Sequence, residues 1–586
     1  MKSLRWLGAL LVVALPLALL ADLGANFFYD WHNHQWLVGY FGEYFRQHGA
    51  MPTALNVEGA VGMPQPVFYG FLLYPALGLV SAVTGASLAI RVGALAAYLA
   101  QFAAVYLAGK NACRSRGLGF AMATAATWSI HAMTNLYNRA ALTEFFATTF
   151  LTTAVAWGAA ALAEERPSRR RLCLGLAGLF LALTLGSHPP TALVGSGLVA
   201  LLGAIALALA WRRRAHLRAE LRTAGGFGLL VVLAVAPWVQ ANLEFRHDLG
   251  VVGRYRELSL NPARTDAVWV RLSPVPFDPE VLAKGRLAEG TPYVEAPLAF
   301  ALLVLGGWNV ILLRRMRAEE PGAATTDAGA KWFLAAGAGW FALMLAASLA
   351  RPVADALRFL AAYVQFATRF TSHANLGLLV AVLASGALVA RRGGYARHAR
   401  ASIGVAMAAL AISLAGVIVK LGHGRAAQAA GNEPHYAWRG DRAAMAAPGR
   451  TDAAGDYAAI RRMPQLAPAV AREAVKAVFP VGARGAKFGV AQGAAVELAH
   501  PGWVVTNAVI FPWSRVTVDG AEVPLAQRAG AEFRWAARLP AGTHRLAWEW
   551  RPDPLWHGLR LVSQLAMVAM LAAVVALGWG ELRGSR

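Results

Sequence analysis

The chain has 586 residues, of which 57% are hydrophobic and only 15% charged, and its mean hydropathy is +0.45. A soluble globular protein carries nearer 25% charged residues, so that class is excluded. The net charge of +23 does not point to nucleic acid either: no recognition motif accompanies it, and Arg and Lys gather in short loops between apolar runs.

The first 22 residues, "MKSLRWLGALLVVALPLALLAD", set Lys2 and Arg5 before an apolar run. A cleaved signal peptide ending at Ala21 is the rival to a retained span. Leu19 is bulky for the position three residues before a cut, which favours an uncleaved first span. Further spans are predicted at 88–109, 118–134, 140–163, 172–187, 189–211, 223–241, 296–313, 331–350, 370–390, 401–420 and 558–580, about twelve in all. Threaded in alternation, they put "KNACRSRG", "EERPSRRR", "WRRRAHLRAELR", "LRRMRAEE" and "RRGGYARHAR" on one side, the positive-inside signature of cytoplasmic loops. The segment 66–85, "PVFYGFLLYPALGLVSAVTG", is nearly long enough to cross. Counting it would export Lys110, Arg114 and Arg116, so it reads as an interfacial or re-entrant piece broken by Pro66 and Pro75. Cys113 and Cys173 fall at or beside cytoplasmic loops and build neither a disulfide framework nor a thiolate metal site.

The opposite face collects 23–87, "NLYNRA" (135–140), "GSHPP" (186–190), a loop near 242–295, the stretch 351–369 and a large block at 421–557. The expected fold class is therefore mainly α: a polytopic membrane domain over 1–420, whose first exported loop is 23–87. A low-complexity linker over 421–470 follows. A small exported β-sandwich-like domain is expected at 471–557, then a final span and cytoplasmic tail at 558–586. Its strand-like runs are "WVVTNAVIF", "SRVTVDGAEV", "EFRWAARL" and "THRLAWEW", and Asp519-Gly520 between alternating segments is a hairpin signal.

The exported segments hold the chemistry. After Asp30, the apolar residues Leu37, Val38, Phe41, Tyr44 and Phe45 recur at helical spacing, predicting an amphipathic helix over 31–47 in the membrane interface. Asp30 either caps that helix or serves as a general base beside His32 and His34. These three could also ligate a divalent metal, although two histidines two apart on a helix diverge. Glu144 lies about one turn inside a span with Arg139 at its mouth, as a structural ion pair or a functional carboxylate. His188 sits at a Pro-broken hinge between two spans. Gln365 and Arg369 are four apart on one helix face; Arg369 either snorkels or clamps a phosphate. No phosphate-binding glycine loop, HExxH or Gly-x-Ser-x-Gly elbow is present.

With "YDWHNH", "GMPQPVFYGFLLYP", "YNRAALTE", "SHPPTAL" and "VQFATRF" in this order, the chain resembles the GT-C superfamily of polytopic glycosyltransferases. More narrowly, it is similar to the bacterial YfhO-like proteins grouped as 6-pyruvoyl-tetrahydropterin synthase-related membrane proteins. The tail from "VDGAEVPL" to "LRLVSQ" is similar to the exported β domain and closing span of that group. The resemblance implies a GT-C-like bundle in the bacterial inner membrane with its active site and β domain on the extracytoplasmic face. It also implies inverting transfer from a polyprenyl-phosphate-linked sugar to a glycan, lipid or protein acceptor, with Asp30 as catalytic base. Arg139 and Arg369 then become partners of the donor phosphate, and His32, His34, Glu144, His188 and Gln365 lie at matching positions. No cofactor is implied, and a divalent metal remains open. Two other functions stand beside it: a transporter or flippase of lipid-linked saccharide, which would place polar groups near the midplane and show inverted repeats, and a non-catalytic envelope assembly factor.

Overall fold

The computed structural model describes residues 2–27, 30–213, 217–245, 296–319, 328–357, 369–431, 463–484 and 487–584. Residues 246–295 of the loop expected near 242–295, Gln365 and the middle of the expected linker lie outside the described residues.

The first apolar run does not form one straight helix. Pro16 ends the i→i−4 ladder, so α1 (Lys2–Ala14) passes into a 3-10 turn, Leu15–Ala21. Neighbours take up the carbonyls of this break: Trp128 Nε1 donates to Val12 O at 2.8 Å and the Tyr137 hydroxyl to Pro16 O at 2.6 Å. The chain then enters α2 (Trp31–His48), the hairpin β1 (Leu55–Val57) and β2 (Ala60–Met63), and the short helices α3 (Gln65–Phe68) and α4 (Leu73–Thr84). At 12 residues, α4 is roughly 18 Å long, too short for a hydrocarbon core of about 30 Å.

The expectation that 31–47 lies half-exposed in the interface is not met. Residues 34–44 of α2 are buried all round: α4 and α5 pack on the helix, and Arg484 and Phe488 of the C-terminal block bond Glu43 and Tyr44. Gly42 and Gly78 allow the close approach to α4: a Cβ on Gly78 would lie 2.6 Å from Phe41 Cβ.

The bundle continues with α5 (Ala86–Cys113), α6 (Arg116–Thr127), α7 (Ile130–Met133), α8 (Leu142–Ala163), α9 (Pro167–Ser187), α10 (Pro189–Arg213) and α11 (Leu217–Phe245). After it come α12 (Ala296–Glu319), α13 (Ala328–Leu349), α14 (Arg369–Arg391), α15 (Ala399–Gly431) and, at the end, α16 (Pro554–Gly584). Among the described residues ten helices are long and apolar enough to cross a membrane: α5 and α8 to α16. This makes the chain a multi-pass membrane protein. Two of the twelve expected spans are not among these helices: the first run, broken at Pro16 and too short, and 118–134. The latter breaks after Thr127, since Ser129 turns its side chain onto Ala132 N at 3.1 Å and starts α7 afresh. A π turn over Thr134–Asn138 follows. Central to the bundle is α14, buried along 94% of its apolar window and packed most closely on α13, where a Cβ on Gly337 would lie 2.6 Å from Gly377 O.

The C-terminal block forms two sheets from β3 (Val475–Ala477), β4 (Gln492–Leu498), β5 (Gly502–Val509), β6 (Ser514–Val518), β7 (Ala521–Glu522), β8 (Arg528–Ala531), β9 (Arg534–Leu539) and β10 (Gly542–Trp550). One sheet runs β4-β10-β6-β7, the other β1-β2-β5-β9-β8 with β3 also on β5. The hairpin of the first loop is thus a member of the C-terminal sheet: β2 pairs parallel with β5 through Val61 and Ala508. Side chains extend the join. Trp550 Nε1 donates to Thr53 Oγ1 at 2.9 Å, Arg484 Nε to Glu43 Oε1 at 3.1 Å, and Arg560 Nη2 to Met51 O at 2.9 Å. Trp548, Trp550, Phe479, Phe511 and Trp513 fill the shared core.

Candidate active site

Glu144 stands in the first turn of α8, where the unpaired N–H groups of the helix favour an acid. It is 1% exposed, and a carboxylate that deep needs partners. It has three. Arg139 Nη1 donates to Oε2 at 3.1 Å, Arg369 Nε to the same oxygen at 2.9 Å, and His131 Nε2 lies 3.2 Å from Oε1. Arg139 Nη1 also donates to Asn135 Oδ1 at 3.1 Å, and Asn135 Nδ2 lies 3.0 Å from His131 Nε2.

The local chain makes this convergence possible. The π turn brings Asn135 and Arg139 onto one side, and Ala140 then adopts the left-handed region at φ 50°, reversing the path into α8. Arg369 is the first residue of α14, so its guanidinium arrives from a different span. The cluster therefore sits where α8 and α14 begin and α9 ends. That end of the bundle is opposite the arginine-bearing turn between α8 and α9, residues 164–171.

Asp30 lies against this cluster. Its backbone N–H donates to Arg139 O at 3.3 Å. Although it occupies the N-cap position of α2, its side chain caps nothing, which removes the simple capping role. Its one described side-chain bond is from Asn33 Nδ2 at 3.5 Å. Burial holds the Asp30 carboxyl above its ordinary 3.8, with Arg139, Asn33 and Arg369 pulling the other way.

The remaining sequence candidates divide. His34 is buried and bonds through Nδ1 to the Tyr74 hydroxyl at 2.7 Å; burial lowers it to about 3, so it is a neutral imidazole. His188 is likewise held well below 6.5 by burial and then by Arg369, and its Nδ1 faces Thr191 Oγ1 at 2.8 Å at the start of α10. His32 is partly exposed on α2 and makes no bond to Glu144. Gln365 lies outside the described residues. Thus Arg139, Glu144 and Arg369 meet, Asp30 and His188 border them, and His34 turns to Tyr74.

Two members escaped the sequence reading. His131 was hidden inside a stretch assigned as a span, although an ionisable residue there is itself a signal. Tyr69 hydrogen-bonds Thr143 Oγ1, meets the His188 ring edge-on at 5.8 Å, and is pushed up to about 12 chiefly by burial. Its neighbours Arg369, Asp30 and Glu144 place it inside the cluster.

The donor set does not suit a divalent cation. Glu144 is occupied by two guanidiniums and an imidazole, and those guanidiniums repel a metal ion. Among the described residues no group of three His, Cys, Asp or Glu side chains could hold one.

No family model matches the chain, and no curated protein matches it. Among solved structures it is similar to ArnT from Cupriavidus metallidurans, bound to undecaprenyl phosphate, at 14% identity over 66% of this chain and 77% of that one, with a TM-score of 0.28. The apo state of the same protein gives 14% identity over 66% and 78%, with a TM-score of 0.27. Scores of that size do not establish a common fold.

Proposed function

We propose that the chain is a membrane glycosyltransferase that moves a sugar from a polyprenyl-phosphate donor to an exported envelope acceptor, with Asp30 as general base. The observation that carries this reading is the meeting of Arg139 and Arg369, from separate segments, beside a carboxylate that is neither capping a helix nor ion-paired into silence. The resemblance of "YDWHNH", "YNRAALTE" and "VQFATRF" to YfhO-like GT-C proteins supports it. The arginine-rich loops at the other end of the bundle support an extracytoplasmic site.

The charges suit the chemistry. Two guanidiniums, Glu144 and an ionised Asp30 sum to zero. When Asp30 takes the proton of the acceptor hydroxyl, that sum becomes +1. At the same moment the bond between the anomeric carbon and the phosphate oxygen breaks, and negative charge grows on the departing lipid phosphate. The site therefore turns more cationic as its leaving group turns more anionic, which is stabilisation specific to the transition state. Attack from the face opposite the phosphate inverts the anomeric carbon. Glu144 holds the two arginines in place, and Tyr69 and the neutral His188 offer hydrogen bonds beside them. The donor's tail stays in lipid.

The test is transfer in reconstituted vesicles carrying a labelled lipid-phosphate sugar. Asp30→Asn, an isostere, is expected to insert and fold normally and to lose transfer by about 10²–10⁴-fold, the usual share of a general base. An Asp30→Asn protein with full activity would end the assignment. Labelled sugar that crosses the membrane without joining an acceptor would establish the transporter instead. Chelation of divalent metal is expected to leave the rate unchanged.

A further inference from the structure

Behind the ion cluster, deeper in the bundle, residues of α5 to α8, α12 and α14 line a partly open cavity of about 40 Å³. That is room for roughly three water molecules. One wall is apolar, with Leu151, Leu298, Leu302, Leu376 and Leu379; the other is polar, with Gln101, His131, Thr148, Thr152, Ser372 and His373. No Asp, Glu, Lys or Arg lines it.

Two polar atoms on this wall lack partners among the described residues. Gln101 gives its Nε2 to Ala126 O at 3.2 Å, but its Oε1 accepts nothing. His373 Nδ1 also has no partner. Both residues are more than nine-tenths buried, at 4% and 2% exposure, and a buried polar atom left unbonded is destabilising. Three of the lining hydroxyls have spent their protons on their own helices. Thr148 donates to Glu144 O, Thr152 to Thr148 O and Ser372 to Arg369 O, each at 2.9 Å. Their oxygens face the cavity as acceptors only.

This pattern selects the occupant. A cation would leave water for a chamber without a counter-charge, at prohibitive desolvation cost. An apolar molecule would leave the amide, the imidazole and the hydroxyl oxygens unmatched. Water supplies both donors and acceptors at the right size. The chamber also touches the cluster, because His131 forms part of its wall and turns Nε2 toward Glu144.

We propose that this cavity is a water-binding chamber, anchored by Gln101 and His373, whose water bonds the membrane side of His131 and so fixes the imidazole that faces Glu144. Gln101 and His373 act through His131 and are positioning residues. The inference concerns the ion cluster alone and stands whether or not the protein transfers sugar.

X-ray hydroxyl-radical footprinting of the full chain in nanodiscs tests the water directly. Radicals form from bound water, so His373 is expected to be oxidised despite its burial. That oxidation is expected to be lost in a plugged variant, Ala132→Leu. Unmodified His373 in wild type, beside normally modified exposed residues, overturns the chamber. Solid-state NMR of ¹⁵N-histidine-labelled protein tests the positioning. Wild type is expected to show one His131 tautomer, His373→Leu a mixture, and His373→Gln, which keeps a polar anchor, a return to one. A single tautomer in His373→Leu overturns the positioning role. The wild-type footprint needs no variant to fold.

Discussion

Two carboxylate–imidazole contacts in this molecule are built alike and weigh very differently. In the membrane bundle, His131 meets Glu144 at 3.2 Å, both almost fully buried. In the C-terminal sheets, His544 Nδ1 meets Asp519 Oδ2 at 2.8 Å, with the Asp519 side chain 52% exposed. Each depends on a non-glycine residue in the left-handed region, Ala140 at φ 50° and Asp519 at φ 51°. The hairpin assembles its pair from neighbouring strands and lets water screen it. The bundle draws its pair, and two arginines, from separate segments and buries it away from bulk solvent. Burial converts a similar contact from a local ornament into a condition for folding.

The largest effect that would break this comparison is removal of the buried acid. Glu144→Ala leaves two guanidiniums uncompensated, and breaking a buried pair from one side costs about 3–5 kcal/mol. Thermal unfolding in nanodiscs is expected to show that loss. A variant as stable as wild type would mean that water already reaches the arginines and that the two regions do not differ as argued.

Asp30 sharpens the contrast, because it is the acid of the bundle that is not consumed by pairing. Its pKa is raised, so it keeps its proton to higher pH than an ordinary carboxyl. In the proposed role as base Asp30 must be ionised, and the rate is therefore expected to climb with pH through a value above 3.8. The sign for stability is opposite: a raised carboxyl favours the folded state at low pH. A transfer-rate profile whose acid limb lies at or below 3.8 would remove burial as the cause.

How far each region was legible follows from the same difference. The hairpin announced itself: Asp519-Gly520 between alternating segments, and β10 with its buried and exposed residues in turn, are signals carried by adjacent residues. The apolar helices were equally plain, since length and composition define them. Arg139 and Glu144 stand five apart and could be paired on sequence. Arg369 joins them from 225 residues away, and only its place at the start of an apolar run, among segments expected to be exported, hinted at it. His131 and Tyr69 were lost because local signals were overruled: Ser129 breaks a helix that hydropathy draws straight, and Tyr69 reaches Thr143 across 74 residues. The union of β2 with β5 was invisible for the same reason, as no pattern within 55–63 specifies a partner strand more than 400 residues away.

A smaller effect separates the two left-handed residues. Asp519 tolerates that region because Asp and Asn adopt it at little cost, whereas Ala140 pays the full steric penalty of about 1–2 kcal/mol. Ala140→Gly relieves it but loosens the unfolded chain by about 0.4–1 kcal/mol. The expected net gain is about 0.5–1 kcal/mol, read as a raised unfolding midpoint. A fall in stability would show that the Cβ of Ala140 packs usefully and that the turn is unstrained.

The smallest expected effect lies at the exposed pair, and pH gives its sign. Hydrogen bonding to Asp519 raises His544, and the bond from His544 lowers Asp519, helped by the Arg545 backbone N–H. A raised histidine stabilises below its unfolded 6.5 and loses that contribution as pH climbs through its folded value. A lowered aspartate stabilises above its unfolded 3.8 and loses it as pH falls through its folded value. Both contributions are complete only between 3.8 and 6.5. His544→Gln is therefore expected to speed amide hydrogen exchange in the β6–β7 hairpin most within that window, and progressively less above it, while transfer activity and the global unfolding midpoint barely move. An equal acceleration at every pH would show that His544 holds the hairpin by packing rather than by charge. The ionic half of the comparison would then rest on the bundle alone.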